Sequence, residues 1–242
     1  MKNNLKISVV SPVYGAEGTV FELINQVQKH VSMITSDFEI ILVEDCSPDN
    51  SWEKIVEISK EKLYVKGYRL SRNFGQHAAI KAGLSVAKGD VVIVLDCDLQ
   101  DNPKYFKNLL DKYLEGNDVV YTYKKKRNHS KFKNITAVLY NLVLNFLLDN
   151  KSLEADKNIG AYSLLSRKVV KSFLNYNDYQ FHYLLVLRWL GFKSAYVEIE
   201  HEERFEGETS YTFRKLINHA SVAIIYQSDK LLRLSIYFGA IV

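Results

Sequence analysis

Val91-Val92-Ile93-Val94-Leu95-Asp96-Cys97-Asp98-Leu99-Gln100-Asp101 is the stretch that decides the fold. Its first five residues are apolar and mostly β-branched, the pattern of a strand buried on both faces. Carboxylates follow at once. Residues i and i+2 of a strand point the same way, so Asp96 and Asp98, with Gln100 next in line, are expected to converge where the strand ends. Carboxylates gathered there repel one another unless a cation or strong donors sit among them. Oxygen ligands suit Mg²⁺ or Mn²⁺, which can bridge a diphosphate. The same residues also read as an acidic turn that caps the helix opened by Pro103. Their place after the most apolar strand of the chain favours the metal site.

On the N-terminal side, strands and helices alternate. Ile7–Val13, Phe38–Val43 and Val65–Leu70 read as buried strands. Thr19–Ile34 carries Val20, Leu23, Ile24, Val27 and Val31 at helical period. Ser51 is placed to cap a helix over Trp52–Lys62, with Ile55 and Ile58 inward. Gln76–Ala87 reads as a helix stopped at Lys88-Gly89. After Pro103 come a helix over Tyr105–Tyr113 and a strand over Val119–Tyr123. This alternation predicts an α/β fold: a mostly parallel sheet with helices on both faces. In such sheets ligands bind outside the carboxyl ends of the strands.

Three further polar turns occupy those ends. Ser11-Pro12-Val13-Tyr14-Gly15-Ala16-Glu17 offers a tight turn and an aromatic platform after the first strand. Glu44-Asp45-Cys46-Ser47-Pro48-Asp49 follows the second; Asp45 can accept hydrogen bonds from a base or ribose, whereas Asp49 and Ser51 read as turn and N-cap residues. Ser71-Arg72-Asn73-Phe74-Gly75-Gln76 follows the third. Each turn alone is a weak signal. Four at four successive strand ends share one edge of one sheet.

Beyond Tyr123 the rhythm breaks. Lys124-Lys125-Lys126-Arg127, with Lys131 and Lys133, precedes an apolar helix over Ile135–Leu148. The basic run reads either as a solvated loop or as a membrane-surface contact, where each cation gains about 1 kcal/mol near anionic lipid. The helix reads as interfacial or as core. Helices over Val169–Leu174 and Tyr183–Leu190, a strand over Ala195–Ile199, a charged loop over His201–Tyr211 and a helix over Phe213–Tyr226 complete the chain. Leu231–Val242 is strongly apolar but falls well short of the roughly 20 residues that span a bilayer.

Composition narrows the classes. The 242 residues are 47% hydrophobic, ample for a packed core, and the formal net charge is only +4, which calls for no nucleic acid. The two cysteines, Cys46 and Cys97, sit at strand ends and suggest a reducing compartment rather than a disulfide framework. The N-terminus has no signal-peptide core. No Gly-Lys-Ser/Thr follows Gly75, so the third turn is not a P-loop, and no dinucleotide fingerprint follows the first strand. The six histidines show no metal-ligand spacing on one element, and Trp52 and Trp189 are expected in the core.

The four motifs resemble those of family 2 glycosyltransferases with the GT-A, Rossmann-like fold, and more narrowly the polyprenyl-phosphate and dolichyl-phosphate sugar synthases. Ser11-Pro12-Val13-Tyr14, the Glu44–Asp49 motif, Arg72-Asn73-Phe74-Gly75-Gln76 and Asp96–Asp101 carry the likeness. Arg204-Phe205-Glu206-Gly207-Glu208-Thr209-Ser210-Tyr211 extends it to a late arginine–glycine–serine–tyrosine segment. The resemblance implies an inverting, metal-dependent transfer of sugar from a UDP- or GDP-sugar. The favoured acceptor is a polyprenyl phosphate at the cytoplasmic membrane face. A glycan hydroxyl acceptor is the alternative, and a non-catalytic nucleotide-sugar-binding homologue the lesser one.

By position, Pro12, Tyr14, Glu17, Asp45, Arg72 and Gln76 would bind the nucleotide-sugar. Asp96 and Asp98 would bind metal and diphosphate, with Gln100 a further ligand. Asp96, Asp98 and Arg204 would be catalytic. Lys124, Arg127, Asn158, Arg204 and Ser210 would meet the acceptor and its phosphate. The implied organisation is a GT-A domain over 1–212, with a donor half 1–123 and an acceptor half 124–212, then juxtamembrane, membrane-docking helices over 213–242. Similar proteins continue there into transmembrane helices; with Val242 last, this chain reads as cut before them or as lying on the surface. A homo-oligomer is admitted. Two departures bear on chemistry: where the family often carries an Asp and an Arg, this chain has Asn158 and Ser163. Asn cannot serve as a base, and Asp156 is the nearest substitute. An acceptor phosphate, with its second pKa at about 6, is already largely ionised and needs positioning more than proton removal.

Overall fold

The structure, a computed structural model, describes residues 5–124, 159–178 and 181–200. The chain divides into two units, Met1–Lys125 with Ile159–Gly207, and Lys126–Asn158 with Glu208–Val242. The second lies outside the described residues. So do the expected helices over 135–148 and 213–226, the apolar stretch 231–242, and Arg127, Asp156, Asn158, Arg204 and Ser210.

In chain order the elements are β1 (Ile7–Val13), α1 (Val20–Val31), β2 (Phe38–Glu44), α2 (Ser51–Glu61), β3 (Val65–Arg69), α3 (Gln76–Val86), β4 (Val91–Val94), α4 (Phe106–Leu114), β5 (Val119–Lys124), β6 (Ile159–Ser166), α5 (Arg167–Leu174), α6 (Tyr183–Trp189) and β7 (Ser194–Ile199). The strands form one sheet in the order β3-β2-β1-β4-β6-β5-β7. β1 pairs in parallel with β2 and β4, β2 with β3, and β5 with β7. β6 runs antiparallel to both neighbours, β4 and β5. The sheet is thus mixed, and β6 is a strand that the periodicity of Asn158–Leu164 does not announce. Gly160 and Ser163 interrupt its apolar pattern, and only its position between β4 and β5 makes it a strand.

Helices cover both faces. Val9, Ile40, Leu42, Ile93 and Val120 pack with α1, α2 and α4 on one side. Val10, Ile41, Val43, Val92 and Val94 pack with α3, α5 and α6 on the other. Alternate residues of the same strands feed the two cores, as period-two geometry requires. Trp52 packs against the first core. Trp189 does not follow expectation: it is the last residue of α6, 74% exposed, with its ring centroid 5.8 Å from that of Tyr176. Among the described residues no helix is long and apolar enough to cross a membrane.

Pro12 sits inside a strand without loss. Val13 O accepts from Asp45 N on the β2 side, and Val10 O accepts from Leu95 N on the β4 side. Alternation turns the Pro12 nitrogen toward β4, whose pairing with β1 ends at Val10↔Val94, so no ladder bond is missing.

At the opposite edge a buried carboxylate ties three strands. Glu39, 3% exposed, accepts from Ser8 Oγ at 2.7 Å, Lys66 Nζ at 2.5 Å and Lys88 N at 2.7 Å. Burial alone would push this carboxyl up; the hydrogen bonds outweigh it and hold it below the usual range. A depressed acid stabilises above its unfolded value of about 4.3 and loses that contribution as pH falls through the folded value. Glu39→Gln is therefore expected to cost about 2 kcal/mol at pH 7. The gap to wild type should close below about pH 4 in urea melts; a gap independent of pH would remove the charge from the account.

Candidate active site

The four polar turns meet at the carboxyl edge of β1–β4 and are joined in a closed circuit of hydrogen bonds. The turn after β1 is stitched to the turn after β2: Gly15 N donates to Ser47 Oγ at 3.0 Å, Ala16 N to Ser51 Oγ at 3.0 Å and Glu17 N to Asp49 Oδ2 at 3.1 Å. Asn50 returns the contact, its Nδ2 donating to Glu17 at 3.1 Å. Asp45 then holds the turn after β3, accepting from Phe74 N at 2.7 Å and Gly75 N at 2.8 Å. Gly75 has φ +91° and ψ 159°, a conformation open to glycine almost alone. Gln76 Nε2, at the start of α3, donates to Asp96 Oδ1 at 2.6 Å. Thr19 Oγ1 closes the circuit on Cys97 O at 2.9 Å.

The expected roles divide accordingly. Asp45 is 3% exposed and its two oxygens bind backbone amides, which leaves a lone pair on each for a ligand. Burial pushes its carboxyl up, against the pull of those two amides. Glu17 is joined to Asn50 as well as standing at the edge. Ser51 is not the N-cap of α2: Asn50 holds that place, and Ser51 is the first helical residue, its hydroxyl spent on Ala16. Tyr14 is 51% exposed, a free aromatic face. Arg72 stacks on Phe74, its guanidinium carbon 4.6 Å from the ring centroid. His77 and His182, from α3 and the residue before α6, have ring centroids 4.2 Å apart. Cys46 and Cys97 are free thiols.

The acidic stretch is a turn and not a strand extension. β4 ends at Val94, and Leu99 takes φ +62°. Asp98 Oδ1 accepts from Gln100 N at 3.1 Å. The helix cap that an acidic turn could have supplied is made by Asn102, which accepts from Lys104 N at 2.8 Å. Asp96 is therefore released from capping. Its carboxyl is pushed up to about 7, first by burial and then by the charges of Asp101 and Asp98; Gln76 and Lys124 pull the other way. Burial pushes the Cys97 thiol up to about 12, so it stays protonated. Tyr162 OH donates to Asn102 O at 3.2 Å and steadies the far end of the turn.

Lys124, expected at the acceptor, stands 3.1 Å from Asp101 Oδ1. Asp101 is 3% exposed, so this pair is half-buried at the rim. Sequence spacing does not link the two; β5 and the turn after β4 are brought together through β6. Ser163, where an arginine is frequent in the family, is fully buried and shares a hydrogen bond of 2.8 Å with Tyr183 OH.

The donor set fits a hard divalent cation only in part by itself. Among the described residues no group of three or more His, Cys, Asp or Glu side chains could hold a metal ion. Asp96 and Asp98 fit Mg²⁺ or Mn²⁺ in the way such ions bind nucleotides, through one or two carboxylates with phosphate and water completing the shell. Burial lifts Asp96 most, and the repulsion of Asp101 and Asp98 that adds to it is what a cation relieves.

The sequence profile of glycosyl transferase family 2 matches residues 8–174. The chain is 32% identical over 240 residues to YkcC, an uncharacterised glycosyltransferase of Bacillus subtilis, across 99% of this chain and 73% of that one. It is 30% identical over 239 residues to the uncharacterised glycosyltransferase sll0501 of Synechocystis, across 98% and 74%. Among solved structures it is similar to glucosyl-3-phosphoglycerate synthase of Mycobacterium tuberculosis. The complex of that enzyme with Mn²⁺, UDP and glucosyl-3-phosphoglycerate superposes with TM-score 0.62 at 16% identity, over 92% of this chain and 78% of the other. TarS residues 1–349 of S. aureus superposes with TM-score 0.56 at 20% identity, over 93% and 66%. At those identities the likeness is one of fold.

Proposed function

The chain belongs to glycosyl transferase family 2 and is a glycosyltransferase; from that premise we propose that it moves a sugar, with inversion, from a UDP- or GDP-sugar to a polyprenyl phosphate at the cytoplasmic membrane face. The observation that carries the donor half of this reading is the closed circuit of four strand-end turns around Asp96 and Asp98. Preorganised polar groups at one rim are what a charged diphosphate needs. Mn²⁺ and UDP in the glucosyl-3-phosphoglycerate synthase complex support the same donor chemistry.

Asp98 and Asp96 would hold the cation, with Gln100 beside them, and the cation supplies charge against the departing diphosphate. Tyr14 offers its face to the base, and Asp45 its remaining lone pairs to base or ribose. Arg72, at the same rim, faces the phosphates. Lys124 brings a positive charge to the acceptor side. An oxygen of the acceptor phosphate attacks the anomeric carbon as the bond from that carbon to the diphosphate oxygen breaks. The nucleoside diphosphate leaves from the opposite face, which inverts the centre.

What favours a phosphate acceptor is the state of the carboxylates at the described rim. Asp96 and Asp98 are taken up by the cation in this reading, Asp101 is paired with Lys124, Glu17 with Asn50, and Asp45 with two amides. A hydroxyl acceptor asks for a base; an ionised phosphate does not. The test is a donor screen: radiolabelled UDP- and GDP-sugars with undecaprenyl phosphate, with Mn²⁺ and with EDTA. Label should enter lipid only with metal. Label that goes instead to a sugar hydroxyl, with none in lipid, would overturn the acceptor assignment.

A further inference from the structure

We infer that Thr19 is a positioning residue for the diphosphate site, its hydroxyl fixing the peptide between Asp96 and Asp98. The inference rests on the donor reading above and adds a residue that none of the four motifs contains. Thr19 occupies the N-cap of α1, yet its side chain makes no capping bond. An N-cap threonine ordinarily accepts from an amide of the first turn, and that cap is worth about fivefold in the folding equilibrium. Here the hydroxyl donates instead. Two carbonyls are in reach, Cys97 O at 2.9 Å and Ala16 O at 3.3 Å. One hydroxyl proton serves one of them well, and the shorter contact is to Cys97.

The target matters because Cys97 lies between the two carboxylates. Holding its carbonyl fixes the plane of the Cys97–Asp98 peptide and with it the direction in which the Asp98 side chain leaves the backbone. Asp96 is fixed separately by Gln76, and the end of the turn by Tyr162. Thr19 is 6% exposed, so water does not substitute for it freely. It also joins the first turn to the fourth through the Cys97 carbonyl, beside the backbone hydrogen bond of Tyr14 to the Cys97 thiol.

The test uses purified full-length protein and Mn²⁺ in the presence of UDP and, separately, GDP, with bound Mn²⁺ read by electron paramagnetic resonance. Thr19→Val removes the hydroxyl at constant shape and should weaken Mn²⁺ retention about fivefold, the effect of one lost neutral hydrogen bond. Thr19→Ser keeps the hydroxyl and should restore retention. Thr19→Ala serves where the valine variant fails to fold. Wild type that retains Mn²⁺ with neither nucleotide overturns the donor reading itself. Wild type that retains it, beside a valine or alanine variant that retains it equally, overturns the role of Thr19 alone. Equal weakening by serine and valine does the same, since the hydroxyl would then not be the operative group.

Discussion

Asp98→Asn is expected to lower the turnover number for sugar transfer by about 10³-fold, the loss typical of removing one preorganised electrostatic group from a reacting centre. The fold should survive. Asparagine keeps an oxygen that can accept from Gln100 N, the bond that shapes the turn at 3.1 Å, so the local backbone need not change. What disappears is the negative charge. Asp98 and Asp96 are the two carboxylates that would share a cation with the donor diphosphate, and a neutral amide is a poor partner for a hard divalent ion. Turnover measured at saturating donor and Mn²⁺, beside a thermal melt, separates the two effects. A variant with near-normal turnover would take Asp98 out of the reaction; one that melts early would leave the loss to misfolding.

The largest expected loss of stability is far from that site. A Cβ on Gly89 would lie 2.5 Å from Ser8 N and 2.7 Å from Val91 O, both backbone atoms of adjacent strands. Side chains can rotate away; a strand cannot without breaking its ladder. The same residue donates to Ser8 Oγ at 2.8 Å and accepts from Arg167 Nε at 2.7 Å. Gly89→Ala should therefore destabilise by roughly 3 kcal/mol, lowering the melting temperature by roughly 6–12 °C in a chain of this size. Gly160→Ala is the control: its nearest neighbour is Tyr162 N at 4.0 Å, and its effect should stay within about 1 kcal/mol. Equal melting temperatures for the two variants would show that β1 and β4 can part at Gly89.

Much of the carboxyl edge of β1–β4 is legible in the sequence. The strands β1 to β5 and helices α2 to α4 fall within a residue of the bounds their periodicity predicts, and α1 stops three residues short of the expected Ile34, because each buries a face that its own apolar spacing writes out. The four turns were legible as a set because successive parallel strands put their ends on one edge. Two features were not. β6 carries Gly160 and Ser163 inside it and pairs antiparallel with β4 and β5; its pattern is weak because its neighbours, and not its own sequence, make it a strand. Trp189 reads as core from its chemistry and stands exposed at the end of α6.

Local chemistry in the sequence by itself determined the alternating architecture, the edge at which the four polar turns gather, and the acidic residues placed there. These follow from short-range periodicity and from residue type. The tertiary structure alone decided which of those polar groups bind one another: Glu17 with Asn50, Asp45 with Phe74 and Gly75, Lys124 with Asp101, and Thr19 with the carbonyl between two aspartates. Hydrogen bonds between turns some 30 to 80 residues apart depend on how the strands are ordered in the sheet, and no spacing along the chain encodes that order.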